Sequence, residues 1–210
     1  MNHFLVGITG QMGTGKSIFS SFFKKKDIPI YYSDKKCKKL MNTVKYIKQN
    51  IKKYFGYKSY QDNKVNTNFL SEKIFKDQNS LKYLCSILYP WIFLDFKNWI
   101  SLQKKTIYLI KESALLFESG TYKNCNLIIN MISPIDQMID RVKKRDNLNK
   151  RQILDRIKFQ LSNKERKKYS NFNIENSKDF SFLEKKAEII HNQIISFLWE
   201  KEIKKQEEEK

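Results

Sequence analysis

The sequence predicts an α/β fold of three layers, with a central parallel sheet of about five strands covered by helices on both faces. Three observations predict it. Short apolar runs alternate with stretches whose apolar residues recur every three or four positions, the pattern of strands that cross over through helices. The first run, Phe4-Leu5-Val6-Gly7-Ile8, enters a glycine-rich turn and then Ile18, Phe19, Phe22 and Phe23, which share one helix face. The chain has 210 residues, three prolines, no internal repeat and no Gly/Ser/Pro linker, so it fits one domain with inserted subdomains.

Each element follows in order. After the strand at 4–8, the turn Gly10-Gln11-Met12-Gly13-Thr14-Gly15-Lys16-Ser17 has the G-x-x-x-x-G-K-S spacing of a phosphate loop and leads into the first helix. Ile28-Pro29-Ile30-Tyr31-Tyr32 reads as a second strand ending in Ser33-Asp34. Residues 34–55 read as helix, with Leu40, Val44, Ile47 and Ile51 on one side, and 56–68 is polar and turn-like. Residues 69–104 are helical and aromatic (Trp91, Phe93, Phe96, Trp99), with Pro90 expected to break or kink them. Strands are expected at 106–110 and 127–132. Ser133-Pro134-Ile135-Asp136 opens a helix well: Ser133 can cap, proline suits the first turn and Asp136 faces the dipole. That helix carries Arg141 and Arg145, four apart on one face. Asn149 with Gln152 starts the next, striped by Ile153, Ile157 and Leu161. A short last strand falls at 172–175. The final helix is spaced 4-3-4-3 through Leu183, Ala187, Ile190, Ile194 and Phe197, and is expected to fray into a charged tail at 201–210. The whole, 1–210, reads as one domain: core about 1–66, 105–139 and 169–200, a helical insert about 67–104, and a lid about 140–168.

Composition narrows the partners. Net charge is +19, but only five of the 41 basic residues are arginine, so the charge reads as a lysine surface spread along the chain rather than a nucleic-acid patch. Cys37, Cys85 and Cys125 are widely spaced, which argues against a disulfide frame or a zinc site. His3 and His191 are too few for a multi-histidine metal centre. Met1-Asn2-His3 leads straight into the first strand, and no apolar run approaches the ~20 residues that span a bilayer. The expectation is a soluble, cytoplasmic protein without nucleic-acid or membrane partners, monomeric or a weak homo-oligomer.

Strand, glycine-rich turn and helix in that order cradle a nucleoside triphosphate, because loop N–H groups and the positive end of the helix dipole aim at the anion. Lys16 then reaches the outer phosphates of ATP, and the Ser17 hydroxyl suits Mg2+. Asp34, at the end of the second strand, is placed to take a proton from an attacking hydroxyl, although it can also cap the helix that follows. Glu112 is a candidate to order Mg2+ through water, or else a surface glutamate. Arg141 and Arg145 suit charge stabilisation over the leaving phosphates, against an alternative of ordinary surface pairing. The aromatic insert is a candidate acceptor site.

The ordered set of motifs resembles the dephospho-coenzyme A kinase family. It comprises Gly7-Ile8-Thr9-Gly10 through Ser17, Tyr32-Ser33-Asp34 at the family's D-x-D, Leu70 to Phe75 at its L-x-x-x-x-F, and Ile87-Leu88-Tyr89-Pro90 at its L-x-H-P. It continues with Glu112 to Glu118 at acidic-x-P-L-L-F-E, Arg141 to Asp146 at R-x-x-x-R-D, Arg156 to Gln160 at R-I-x-x-Q, and Ile174-Glu175-Asn176 in the last strand. The resemblance implies the P-loop NTPase fold and transfer of the γ-phosphoryl of ATP to the ribose 3′-hydroxyl of dephospho-CoA, the last step of coenzyme A synthesis. It implies Asp34 as base with Lys16, Arg141 and Arg145 catalytic, and Gly13, Thr14, Gly15, Lys16, Ser17, Ile18 and Asn176 on the nucleotide. It further implies Tyr89 and Glu118 on the acceptor, with Ser17 and Glu112 on Mg2+. Four positions depart: Tyr32 replaces an Asp, Tyr89 a His, Thr67 an Arg and Asn171 an Asp, so weaker acceptor binding is expected from the lost charges. Two other readings compete: another small-molecule P-loop kinase (nucleoside, nucleotide or shikimate type), and a nucleotide-dependent nucleic-acid-binding protein.

Overall fold

The computed structural model describes residues 3–104, 106–146, 148–177 and 179–208; the ends of the expected core segment and tail at Met1, Asn2, Lys105, Glu209 and Lys210 lie outside them. In chain order the elements are β1 (Leu5–Gly10), α1 (Lys16–Lys24), β2 (Ile30–Tyr32), α2 (Ser33–Thr43), α3 (Lys45–Phe55), β3 (Tyr60–Gln61), β4 (Lys64–Val65), α4 (Thr67–Ile74) and α5 (Gln78–Ser101). Then come β5 (Leu109–Glu112), β6 (Leu127–Ile132), α6 (Ile135–Asp146), α7 (Lys150–Lys158), α8 (Asn163–Tyr169), β7 (Phe172–Glu175) and α9 (Phe180–Glu208).

Five strands form one parallel sheet in the order β2-β5-β1-β6-β7. Its central strands are buried runs rather than alternating ones, as a sheet covered on both faces requires. One face packs on α1 and α9 through Val6, Ile8, Phe19, Phe23, Ile110, Ile129, Leu183, Ala187, Ile190 and Ile194. The other meets α5 through Leu5, Tyr31, Phe96 and Leu109. A separate apolar cluster of Ile47, Ile51, Leu70, Leu84 and Leu88 joins α3, α4 and α5, a second small core that takes in residues before the 67–104 expected for the insert. Among the described residues no helix is long and apolar enough to cross a membrane.

Several expectations are corrected. The helix read over 34–55 is two helices, because Val44 is extended (φ −87°, ψ 114°). The β-branched Thr43-Val44 pair resists helix, and the break turns Ile47 and Ile51 into that second cluster. Pro90 does not break α5, which runs from Gln78 to Ser101. Proline leaves the carbonyl four residues back without its helical donor; Pro90 lies on the exposed side, where water can satisfy the Ser86 carbonyl. The third strand starts later than expected, at Leu109, and carries two charged residues, Lys111 and Glu112, at its end. The Ser133 hydroxyl does not serve as a simple helix cap; it donates to the Asn176 carbonyl (2.8 Å) and accepts from Arg141. Phe197 is 52% exposed at the rim of the core, and α9 continues to Glu208 instead of fraying at 201. Asn149 and Gln152 form the expected reciprocal capping box.

Candidate active site

The glycine-rich turn is bound tightly from within and from outside. Lys16 Nζ donates to the carbonyls of Gly10 (3.0 Å) and Gln11 (3.1 Å), folding back along the loop. Thr14 Oγ1 donates to Gln11 O (2.8 Å). From outside, Asn176 Nδ2 donates to Thr14 O (2.9 Å), Met12 N donates to Gln160 Oε1 (2.9 Å), and Arg141 Nη1 donates to Gly13 O (3.3 Å). Gly13 and Gly15 have φ of +81° and +90°, the left-handed region that glycine enters freely. A Cβ on Gly13 would meet the Met138 carbonyl at 2.7 Å, so both backbone angle and space require glycine there.

The carboxylates gather by strand register. Ile8, Tyr32 and Glu112 are level across β1, β5 and β2, so the ends of β2 and β5 stand beside the loop that follows β1. Ser17 Oγ donates to Glu112 Oε2 (3.2 Å), and Glu112 is 5% exposed. Burial raises the Glu112 pKa, opposed by the nearby Lys16 ammonium, while Asp34 adds to the rise. Asp34 lies in the first turn of α2, accessible to solvent yet surrounded by protein. Desolvation by the surrounding protein raises its pKa; the Lys16 charge, the Ala114 N–H and the Arg145 charge pull the other way. Lys16, 7% exposed, has its pKa lowered by burial and pulled back up by Asp34 and Glu112. Asp34, Glu112, Lys16 and Arg145 thus share one electrostatic neighbourhood, with the oxygen donors that Mg2+ prefers on one side of it.

The remaining sequence-predicted residues divide. Arg145 is exposed, paired with Asp146 (2.7 Å), and feels both Asp34 and Glu112. Arg141 instead spends its guanidinium on Gly13 O, Ser133 Oγ, Gln137 Oε1 and Asn176 O, bracing the loop. Asn176, 4% exposed, likewise holds Thr14 with its side chain. The Ile18 side chain is 47% exposed on α1. Tyr89, on α5, is half-buried and bonded to Cys85; burial raises its pKa, and Cys37 and Glu118 act on it from nearby. Glu118 Oε1 accepts from Arg166 Nη2 (2.8 Å) and Leu161 N (2.6 Å), so it fastens the α7–α8 turn as well as acting on Tyr89. Asn171, in place of the expected acid, ties the edge of the sheet by accepting from Ile128 N (2.8 Å).

Arg166 is a residue whose importance sequence patterning does not reveal. It is fully buried, donating to Thr9 Oγ1 (2.7 Å), Leu161 O (2.9 Å), Ala114 O (3.1 Å) and Glu118, with Phe117 against its guanidinium. It anchors α8 to β1 and to the segment after β5. Its setting, Lys-Glu-Arg-Lys-Lys, looks like solvated surface; the one available signal is an arginine kept among lysines.

The family model of dephospho-CoA kinase matches residues 4–181. Dephospho-CoA kinase of Fusobacterium nucleatum is 32% identical over 189 residues, 90% of this chain and 97% of that protein. Among solved structures, a Thermus thermophilus protein superposes with a TM-score of 0.78 at 21% identity, covering 92% of this chain and 98% of the other. The Campylobacter jejuni dephospho-CoA kinase gives 0.64 at 22% identity, covering 90% and 96%. At those identities the two structures speak to the fold alone.

Proposed function

The chain belongs to the dephospho-CoA kinase family, and from that premise we propose how its residues carry out the family's reaction. The reaction is transfer of the γ-phosphoryl group of ATP to the ribose 3′-hydroxyl of dephospho-CoA, the last step in coenzyme A synthesis. The observation that carries the assignment of roles is the convergence of Asp34 with Lys16, Glu112 and Arg145 at the ends of β1, β2 and β5.

Phosphoryl transfer is mostly positioning and charge stabilisation. The N–H groups of residues 13–18 hold the triphosphate, and the glycine angles keep the loop open to it. Asn176, Gln160 and Arg141 act by holding the loop's carbonyls and amide in place. Lys16, with its Nζ parked on two loop carbonyls, moves to the β- and γ-phosphates when these arrive. Arg145 offsets negative charge at the leaving side. Asp34 accepts the proton of the acceptor hydroxyl as the new P–O bond forms; the nearby Lys16 charge favours its ionised form, against the desolvation that raises its pKa.

The Ser17 hydroxyl and Glu112 carboxylate, already paired, are the two protein oxygens that would hold Mg2+, directly and through water. Bound there, the cation would neutralise phosphate charge. Mg2+ keeps several waters and shares its sphere with substrate phosphates, so two protein oxygens suffice. Tyr89 and the insert face the acceptor, with Glu118 closing the lid side.

The test is ADP release by purified protein with and without dephospho-CoA, beside adenosine and shikimate as other acceptors. Turnover that needs dephospho-CoA supports the reading; equal turnover on the others sinks it. Asp34→Asn must lose turnover while still binding ATP, and a normal rate removes Asp34 from the base role.

A further inference from the structure

Neighbours on a strand point to opposite faces of the sheet. On β5, Glu112 turns toward α1 and meets Ser17, so Lys111 turns toward α5. There Lys111 is 4% exposed, with Nζ 4.5 Å from the centre of the Phe96 ring. In register it stands between Gly7 and Tyr31, one residue below the level of Tyr32 and Glu112 where the strands end. Its other neighbours are the thiols of Cys37 and Cys125, which burial pushes up to about 12 and about 11, so both are uncharged at neutral pH. Among the described residues Lys111 Nζ makes no hydrogen bond and no ion pair.

This amine does not lie in an unrelated part of the core. Cys37 follows Asp34 by three residues on α2 and feels both its charge and Cys85. Cys85 bonds Tyr89, and Cys85, Tyr89, Ile92 and Phe96 are spaced 4-3-4 on α5, one helical face. Lys111, Cys37, Cys85 and Tyr89 therefore form one connected set between α2, α5 and the sheet, which Cys37 links to Asp34. The other deeply buried cations are already engaged: Lys16 on loop carbonyls, Arg166 on Glu118 and main chain. A buried ammonium without a partner costs stability, and an apolar side chain of similar length would pack on Phe96 without that cost.

We propose that Lys111 is an acceptor-binding residue whose ammonium contacts the diphosphate of dephospho-CoA from the end of β5, between α2 and α5. The inference rests on the reading of the α2–α5 side as the acceptor side. The diphosphate is the only anionic group of dephospho-CoA, and the phosphates of ATP belong to the opposite face, at α1. Where Tyr89 and Thr67 supply no charge, Lys111 supplies it from the sheet.

Lys111→Met removes the charge and keeps most of the length. The expected result is a KM for dephospho-CoA raised about tenfold or more, the loss of one charged contact, with the KM for ATP and kcat changed less than about twofold. Adenosine, which lacks the diphosphate, should bind wild type and variant equally by calorimetry, and Lys111→Met should melt at a higher temperature. Lys111→Arg, which keeps the charge, should restore part of the KM. A higher melting temperature with an unchanged KM would overturn the proposal, as would equal losses for adenosine and dephospho-CoA, which would mark a packing effect. If the Lys111→Met variant does not fold, the same KM comparison is made with Lys111→Gln. Wild type that shows no turnover on dephospho-CoA would overturn the reading of the α2–α5 side as the acceptor side, an outcome separate from any Lys111 result.

Discussion

The glycine-rich loop and the side between α2 and α5, proposed above for nucleotide and acceptor, differ in how much of their bonding is complete before any ligand arrives. At the loop, Lys16, Thr14, Met12, Gly13 and Asn176 all have hydrogen-bond partners within the protein. Between α2 and α5, among the described residues, Tyr89 has one thiol partner and Lys111 the face of Phe96. Preorganised donors lose little entropy on binding, whereas groups that must be ordered by the ligand subtract from its affinity. On the proposed reading, the loop holds phosphates at fixed positions with Lys16 moving to meet them, and the α2–α5 side is completed by the acceptor.

The largest effect expected on that contrast is at the residue between the two regions. Asp34→Asn should lower kcat by about 10²- to 10⁴-fold, the range for loss of a general base, with ATP affinity unchanged by calorimetry. The pH profile carries the sign. Asp34 must be ionised to act, and desolvation raises its pKa above 3.8, so kcat/KM should fall as pH drops through that raised value. Its solvent access limits the rise. An acid limb at the ordinary carboxylate position would mean that the cleft is more open than the structure has it.

Next in size is a change inside the cradle alone. Gly13→Ala must take a φ of +81° and meet the Met138 carbonyl, so destabilisation of about 1–3 kcal/mol is expected in thermal or urea unfolding. ATP binding should weaken as well, while binding of dephospho-CoA alone should stay within about twofold. Equal losses on both ligands would show that the two regions are one cooperative unit.

A milder change reverses two departures on the proposed acceptor side. Tyr89→His and Thr67→Arg should each lower the KM for dephospho-CoA a few-fold, since a charged hydrogen bond is worth about 1.5–3 kcal/mol before burial costs are subtracted. No change in either would mean that the acceptor passes these positions by, and that its affinity comes from elsewhere.

How much of this was legible in the sequence follows the same divide. The cradle is local: eight consecutive residues with a strand before and a helix after, so spacing alone conveys it. The sheet was legible because its strands are short apolar runs, and β6 and β7 fall where the pattern puts them. The limits of β5 were not, because its end is Lys-Glu, which reads as surface, and only the neighbouring strands reveal it as buried. Arg166 and Lys111 escape a sequence reading for the same reason. A charge becomes buried through contacts made scores of residues away, such as Arg166 with Thr9 and Glu118, and no periodicity in the chain records them.

The smallest expected effect concerns a charge that the cradle holds at a cost. Burial raises the Glu112 pKa above 4.5, more than Lys16 lowers it. The folded protein then binds this proton more tightly than the unfolded chain, so its stabilising contribution is full below the unfolded pKa and is lost as pH rises through the folded one. At neutral pH the ionised carboxylate is a net burden unless a cation relieves it. Glu112→Gln keeps the acceptor for Ser17 Oγ and removes the charge. Its melting temperature should exceed that of wild type by a few degrees at pH 8, with a smaller gap at pH 5, and Mg2+ with a non-hydrolysable ATP analogue should narrow the gap at pH 8 by stabilising wild type more. A gap that is independent of pH would mean that Lys16 fully neutralises the carboxylate. A gap that Mg2+ leaves untouched would take Glu112 out of the metal site and leave Ser17 and the substrate phosphates to hold the cation.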